Sequence, residues 1–406
     1  MNEYVQQLFK KYDISYDNGF IPQDNPLEQL PHYFKCWDDI VYDLVSLNKE
    51  KRIRQVVDEM PLLDYTKLES VQEYQRAYLI LSMICHSYVW AHGSKHAAKS
   101  IPPNLAIPFT NVSKKLDIVP VMTHAGLDLF NWKLVDKSKD FCLDNLRCIH
   151  TVTGTFDEEW FYLVITAIEK EGAEILKSIV KFNRLDESEQ TLELTKINNT
   201  LQKINDILTR VYQKCDPDVF WYKLRPYLAG WENNDNLPDG LIYEGVSPEP
   251  IQYAGGSAAQ SSLFPSIDAA FNVHHHDDYF QKIQRYMPGK HKEFIAYVKR
   301  NIRIDQTVKK CDNAKMTNIF NDCLKKLEQF RQIHMGIVYK YIIRMAKKDA
   351  AKEKDEEKEK DEDKDKEKDK DEDKEKEKEK KEKGTGGTDL IPFLRGSIKE
   401  TNQANL

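Results

Sequence analysis

Residues 317–345 read TNIFNDCLKKLEQFRQIHMGIVYKYIIRM, and their apolar positions repeat with the period of a helix. Phe320, Cys323, Leu324, Leu327, Phe330, Ile337, Val338 and Tyr341 fall at three- and four-residue steps, as one buried helix face requires. Arg331 and His334 lie on that same face, one turn apart. This helix therefore carries a cation and an imidazole inside an apolar stripe.

The same period runs through 73–90 (Tyr74, Ala77, Tyr78, Leu81, Ile84, Cys85, Tyr88), 160–182 (Phe161, Val164, Ile168, Ile175, Ile179) and 194–213 (Leu194, Ile197, Leu201, Ile204, Leu208, Val211). Period-two strand patterns are absent. Pro and Gly gather between the helical stretches, at 101–108, 237–256 and 287–289. No self-similarity at 30–45 residues points to a solenoid. The expected fold is all-α with two helical domains, a smaller one over 1–152 and a larger one over 153–346, divided near Thr151–Gly154. A charged low-complexity insertion follows over 347–383, and 384–406 is expected to return to the larger domain.

The insertion holds 37 residues: 16 Lys, 19 Asp or Glu, and only Ala350 and Ala351 besides. Such a run buries too little apolar surface to offset its ordering entropy, so it reads as a solvated spacer, disordered or a single helix laced by i,i+4 pairs. Glycine punctuation, Gly384-Thr385-Gly386-Gly387-Thr388, comes next, and then the apolar Leu390-Ile391-Pro392-Phe393-Leu394.

Over 406 residues, 60 Lys and Arg stand against 66 Asp and Glu, a formal charge of −6 that offers no attraction to nucleic acid or an anionic membrane. No apolar stretch approaches the length of a membrane span. The opening MNEYVQQLFKKYD lacks the apolar core of a secretory signal. Seven cysteines, an odd and scattered set without a CxxC, read as reduced thiols of a cytoplasmic protein.

Several residues invite chemistry. A buried helical imidazole with apolar neighbours is the setting of a proximal haem ligand, with Arg331 placed to pair with a propionate. The same pattern also describes a hydrogen-bonded core histidine beside a snorkelling arginine. Arg225 ends the aromatic-rich Phe220-Trp221-Tyr222-Lys223-Leu224, in a helix expected to start with Asp216 as cap and Pro217 in its first turn. It suits a carboxylate in an apolar pocket, or an ordinary salt bridge. Small residues from Ala254 to Ser261 permit close backbone approach to a flat ligand, or form a plain connection, and no Gly-Lys-Ser/Thr makes them a phosphate loop. His274-His275-His276 tempts a metal reading, but consecutive residues converge poorly on one ion. Leu241-Ile242-Tyr243-Glu244-Gly245-Val246 matches a short phosphotyrosine pattern that chance alone supplies often.

Taken together, Asp239–Val246, Gly255–Ser262, Tyr286-Met287-Pro288, Leu228-Ala229-Gly230-Trp231, Asn131-Trp132, Tyr88-Val89-Trp90 and Gly384–Leu390 resemble the indoleamine 2,3-dioxygenase family, in order, from about Gly19 to Phe393. The resemblance implies an all-helical haem protein that inserts both atoms of O2 across the indole C2–C3 bond of L-tryptophan, giving N-formylkynurenine. It implies haem b as cofactor, an external reductant for the ferric iron, and a monomer. His334 matches the family's proximal ligand, and Arg331 and Asp268 match the pair near a propionate. Phe161 and Phe220 match the distal aromatics, and Arg225 the substrate-carboxylate arginine. Ser257 and Ala258 match the small-residue loop over the haem, and Thr385 lies in the mobile glycine loop. No residue is expected to act as acid or base.

Two departures stand in the expected distal pocket. Ile165 occupies a position where the family commonly has a serine or threonine hydroxyl. His124, Leu127 and Asp128 stand where the mammalian-type pattern has tyrosine, cysteine and valine. The alternative is a haem protein on the same scaffold that binds O2 reversibly, like molluscan myoglobins resembling this family, or that signals without turnover. Retained Arg225 and Phe220 favour the enzyme, because an oxygen carrier has no use for a carboxylate clamp.

Overall fold

The computed structural model describes residues 1–275, 279–352 and 390–406. Its long helices begin where the sequence supplies caps. Val71–Trp90 opens with a capping box in which Ser70 accepts from the Glu73 backbone and Glu73 reaches back, and Glu187–Thr209 opens likewise with Asp186 and Glu189. Thr155 caps Phe156–Lys181 and Asn313 caps Ala314–Val338. Each cap contributes about 1 kcal/mol.

The fold is all-α. Apart from three isolated bridges, strand pairing among the described residues is confined to two short ladders, Ser100–Ile101 parallel to Ile242–Tyr243 and Lys133–Leu134 antiparallel to Leu146–Arg147. Val71–Trp90 is buried along most of its length and packs on Lys35–Tyr42 and Pro103–Lys115. Further along the chain, Glu187–Thr209 packs on both Phe156–Lys181 and Ala314–Val338, and the C-terminal helix Leu390–Asn402 lies along Ala314–Val338. One contiguous apolar core joins these groups. Leu263–Phe271 approaches Phe156–Lys181 closely at Gly172, where a Cβ would stand 2.4 Å from Leu263 Cδ2. No helix among the described residues is long and apolar enough to cross a membrane, and all seven cysteines are unpaired.

The helical stretches differ from expectation in one respect. The run at 317–345 is α-helical only to Val338, widens to a π turn over Tyr339–Ile343, and resumes as α-helix to residue 352. Two more π turns occupy Ala125–Leu129 and Phe220–Leu224. The stretch 194–213 is also broken, ending at Thr209 before a short turn Val211–Lys214. Such widenings occur often at functional sites. Of the charged insertion, residues 347–352 extend the His334 helix, and 353–383 lie outside the described residues.

Candidate functional site

The three π turns border one cavity, in which the centres of water-sized spheres occupy about 240 Å³. Ala314–Val338 contributes Phe330, Arg331, His334, Ile337 and Val338. Phe156–Lys181 contributes Phe161, Ile165 and Glu169, which follow one another at four-residue steps on one face. His124, Leu127 and Asp128 enter from the first π turn and its approach, Phe220 from the second, and Tyr341 and Ile342 from the third. Gly256, Ser257, Ala258 and Ala259 form a small-residue wall, and Leu394 and Ser397 reach in from the C-terminal helix. With Leu208 and Val211, the sequence thus converges on this cavity from seven separate stretches.

His334 has no hydrogen bond among the described residues, and burial pushes its imidazole down to about 4. It is neutral at physiological pH, as a metal-ligating imidazole must be. No cluster of three or more His, Cys, Asp or Glu able to hold an ion exists among the described residues. His334 would therefore hold an ion only as part of a group that brings most of its own ligands, as a haem does. Apolar walls, a small-residue strip and a single neutral imidazole therefore fit a haem.

Arg331 donates through Nη2 to both carboxylate oxygens of Asp268, at 2.7 and 2.8 Å, and through Nη1 to Thr401. Asp268 also contacts His275 Nε2 at 3.0 Å, and His275 Nδ1 contacts Glu400 at 2.6 Å. Burial alone would raise the Asp268 carboxyl; Arg331 and His275 more than offset it and hold it below the usual range. The guanidinium expected near a propionate is thus also a structural partner of Asp268.

A second buried cluster centres on His124, whose Nδ1 lies 2.9 Å from Asp128 and whose Nε2 lies 3.0 Å from Glu169. Glu169 also accepts from Ser261 Oγ at 2.5 Å. Burial works against charge on His124, but the two carboxylates prevail and push its pKa up to about 10. Burial raises Asp128 despite the attraction of His124. Asp128 Oδ1 and Glu169 Oε2 have no hydrogen-bond partner. Glu169 was not singled out in the sequence, although its spacing from Phe161 and Ile165 places it on the cavity face.

The remaining positions sort clearly. Phe161 and Phe220 have centroids 5.0 Å apart, and Phe220 meets Tyr341 edge-on at 5.6 Å. Asp216 caps the turn leading to Phe220, accepting from Asp218 and Val219, as its sequence suggests. Arg225 is not among the cavity-lining residues; its neighbours Phe220 and Leu228 are, and its guanidinium stacks 4.4 Å from the Trp221 ring centroid. Ser257 spends its hydroxyl on its own turn, accepting from the Ala259 N–H at 3.3 Å. Gln260 ties two walls together, accepting from the His124 N–H at 3.0 Å and donating to the Gly255 carbonyl at 2.9 Å. Gly255 is required by the backbone rather than by a ligand: a Cβ there would stand 2.0 Å from the Leu228 carbonyl oxygen. His274 is exposed, His275 serves the Asp268 network, and His276 and Thr385 lie outside the described residues. Tyr243 is buried and donates to the Pro120 carbonyl, so the phosphotyrosine-like pattern is inaccessible.

Comparison with known proteins identifies the family. The family model for indoleamine 2,3-dioxygenase matches residues 8–404. Indoleamine 2,3-dioxygenase 1 of Rattus norvegicus is 30% identical over 412 residues, covering 99% of this chain and 96% of its own. Indoleamine 2,3-dioxygenase of Saccharomyces cerevisiae is 33% identical over 425 residues, covering 97% and 93%. A myoglobin of Haliotis madaka is 31% identical over 352 residues, covering 84% and 91%. With its all-α fold and near-complete match, the chain belongs to the indoleamine 2,3-dioxygenase family.

Proposed function

We propose that this protein is a haem-dependent dioxygenase converting L-tryptophan and O2 to N-formylkynurenine. The observation that carries the reading is His334, a neutral imidazole with no hydrogen-bond partner among the described residues, on an apolar cavity that also receives Phe161, Phe220, Ser257 and Ala258. Bound haem supplies the activation of dioxygen, and the chain supplies orientation and dryness. His334 would hold the haem iron. Phe161 and Phe220 pack the indole, whose roughly 150–250 Å² of buried surface is worth about 4–6 kcal/mol. Arg225, beside the wall, takes the substrate carboxylate at the cavity's edge in a charge-assisted pair worth about 1.5–3 kcal/mol. Ile165 offers the indole N–H no acceptor; the polar groups on that wall are Asp128 and Glu169.

A second reading, reversible O2 binding, is favoured by the likeness to a Haliotis myoglobin. One experiment separates them. The purified protein is reduced anaerobically, then given air and L-tryptophan while the Soret band and N-formylkynurenine absorbance are followed. Product over many turnovers, with loss of the Soret band in His334→Ala, is the expected result. A stable oxygenated spectrum without product would leave the myoglobin-like reading standing.

A further inference from the structure

The charged insertion begins with a contact that a solvated spacer does not make. Residues 347–352 extend the His334 helix, and Asp349 meets the 217–225 segment at two points. Its carboxylate accepts from Trp221 Nε1 at 2.7 Å and from the Tyr222 hydroxyl. Lys348 pairs with Asp218 at 2.5 Å, and Lys352 Nζ lies 5.9 Å from the Tyr222 ring centroid. The Trp221 ring that Asp349 holds by its N–H also carries the Arg225 guanidinium on its face, 4.4 Å from the centroid.

We infer that Asp349 is a positioning residue that fixes the indole ring of Trp221 and, through it, the guanidinium of Arg225 for the substrate carboxylate. This rests on the reading of Arg225 as the carboxylate's partner. An indole ring has two side-chain torsions, and a bond to its N–H restricts both at once. A guanidinium stacked on a fixed ring keeps its plane, while its N–H donors lie along the edge of that plane and match a carboxylate's two oxygens. The Tyr222 hydroxyl, bonded to the other oxygen, anchors the same carboxylate against rotation. The first turn of the insertion thereby becomes part of the apparatus that orients substrate.

The test is steady-state kinetics on the full chain with haem bound. Asp349→Ala should raise KM for L-tryptophan about fivefold, as loss of one charge-assisted hydrogen bond would, and leave kcat within about twofold. Trp221→Phe keeps the ring face but lacks the N–H, so it should do the same. The double variant should be no worse than either single, because both break one linkage. Asp349→Asn, whose amide oxygen still accepts from Trp221, should restore most of the loss. Binding of tryptamine, which has no carboxylate, should be unchanged in all of them, and exposed Lys347→Ala serves as the neutral control. If Arg225→Ala raises KM but Asp349→Ala does not, or if Asp349→Ala weakens tryptamine equally, the positioning role is overturned while the function stands. If Arg225→Ala itself leaves KM unchanged, the carboxylate reading fails and this inference fails with it.

Discussion

Two buried imidazole–carboxylate networks border the same cavity, and they differ in their charge balance. In one, Arg331 and His275 face Asp268 and Glu400, with both Asp268 oxygens engaged. In the other, the single imidazolium of His124 faces Asp128 and Glu169, and one oxygen of each carboxylate has no partner. The first joins Ala314–Val338 to Leu263–Phe271 and to the C-terminal helix, so its balance serves cohesion. The second sets two carboxyl groups against one imidazole, and burial pushes the Asp128 carboxyl up, toward its neutral form. Balanced buried ions hold elements together; unbalanced ones give a cavity wall its electrostatic character.

The same chemical change should therefore have opposite outcomes in the two networks. Asp268→Asn removes the anion that compensates Arg331, and should cost about 3–5 kcal/mol in urea unfolding. Asp128→Asn keeps the shape of a carboxyl that burial already pushes toward its neutral form, and should cost less than about 1 kcal/mol or stabilise the protein. Equal losses at both positions would erase the contrast.

The pH dependence sharpens it. His124 has a folded pKa of about 10, above its ordinary value of about 6.5. Its stabilisation is fully present below pH 6.5 and is lost as pH rises through about 10. Unfolding free energies measured from pH 6 to 10 should fall across this window in the wild type, and His124→Gln should flatten that part of the slope. A slope unchanged in the variant would show that the imidazole is not held charged.

Within the first network, the smaller effect belongs to its partly open end. Glu400→Gln keeps a hydrogen-bond acceptor for His275 at a side chain 14% exposed, so it should cost about 1 kcal/mol or less. Thermal unfolding of this variant beside Asp268→Asn would rank the two ends of the network.

Much of this was legible in the chain itself, for reasons that individual residues make plain. Phe320 through Tyr341 announce their helix because burial on one face demands a three- and four-residue repeat. Asp216, Ser70 and Asp186 announce helix starts because a cap is a local hydrogen bond. Glu169 obeys the same periodicity as Phe161 and Ile165, and a reading that followed the face rather than the residue type would have found it. The meeting of Asp268, His275 and Glu400 had no such signal, since Glu400 is separated from His275 by 125 positions and no spacing rule relates them. The placement of Arg225 beside the cavity rather than in its wall was likewise hidden, because it depends on the Trp221 ring and on Asp349, more than a hundred residues away.

The three π turns have a consequence for insertions and deletions. Each spends one residue more than an α-helical turn, so deleting a single residue there would restore a regular helix at little local cost. It would also rotate every side chain beyond it by about 100° about the helix axis. Leu127 and Asp128, Phe220, and Tyr341 owe their places on the cavity to those extra residues as much as to their own chemistry. The outline of the site is thus kept by a count of residues, and a shortened relative with every lining side chain intact would still have lost its shape.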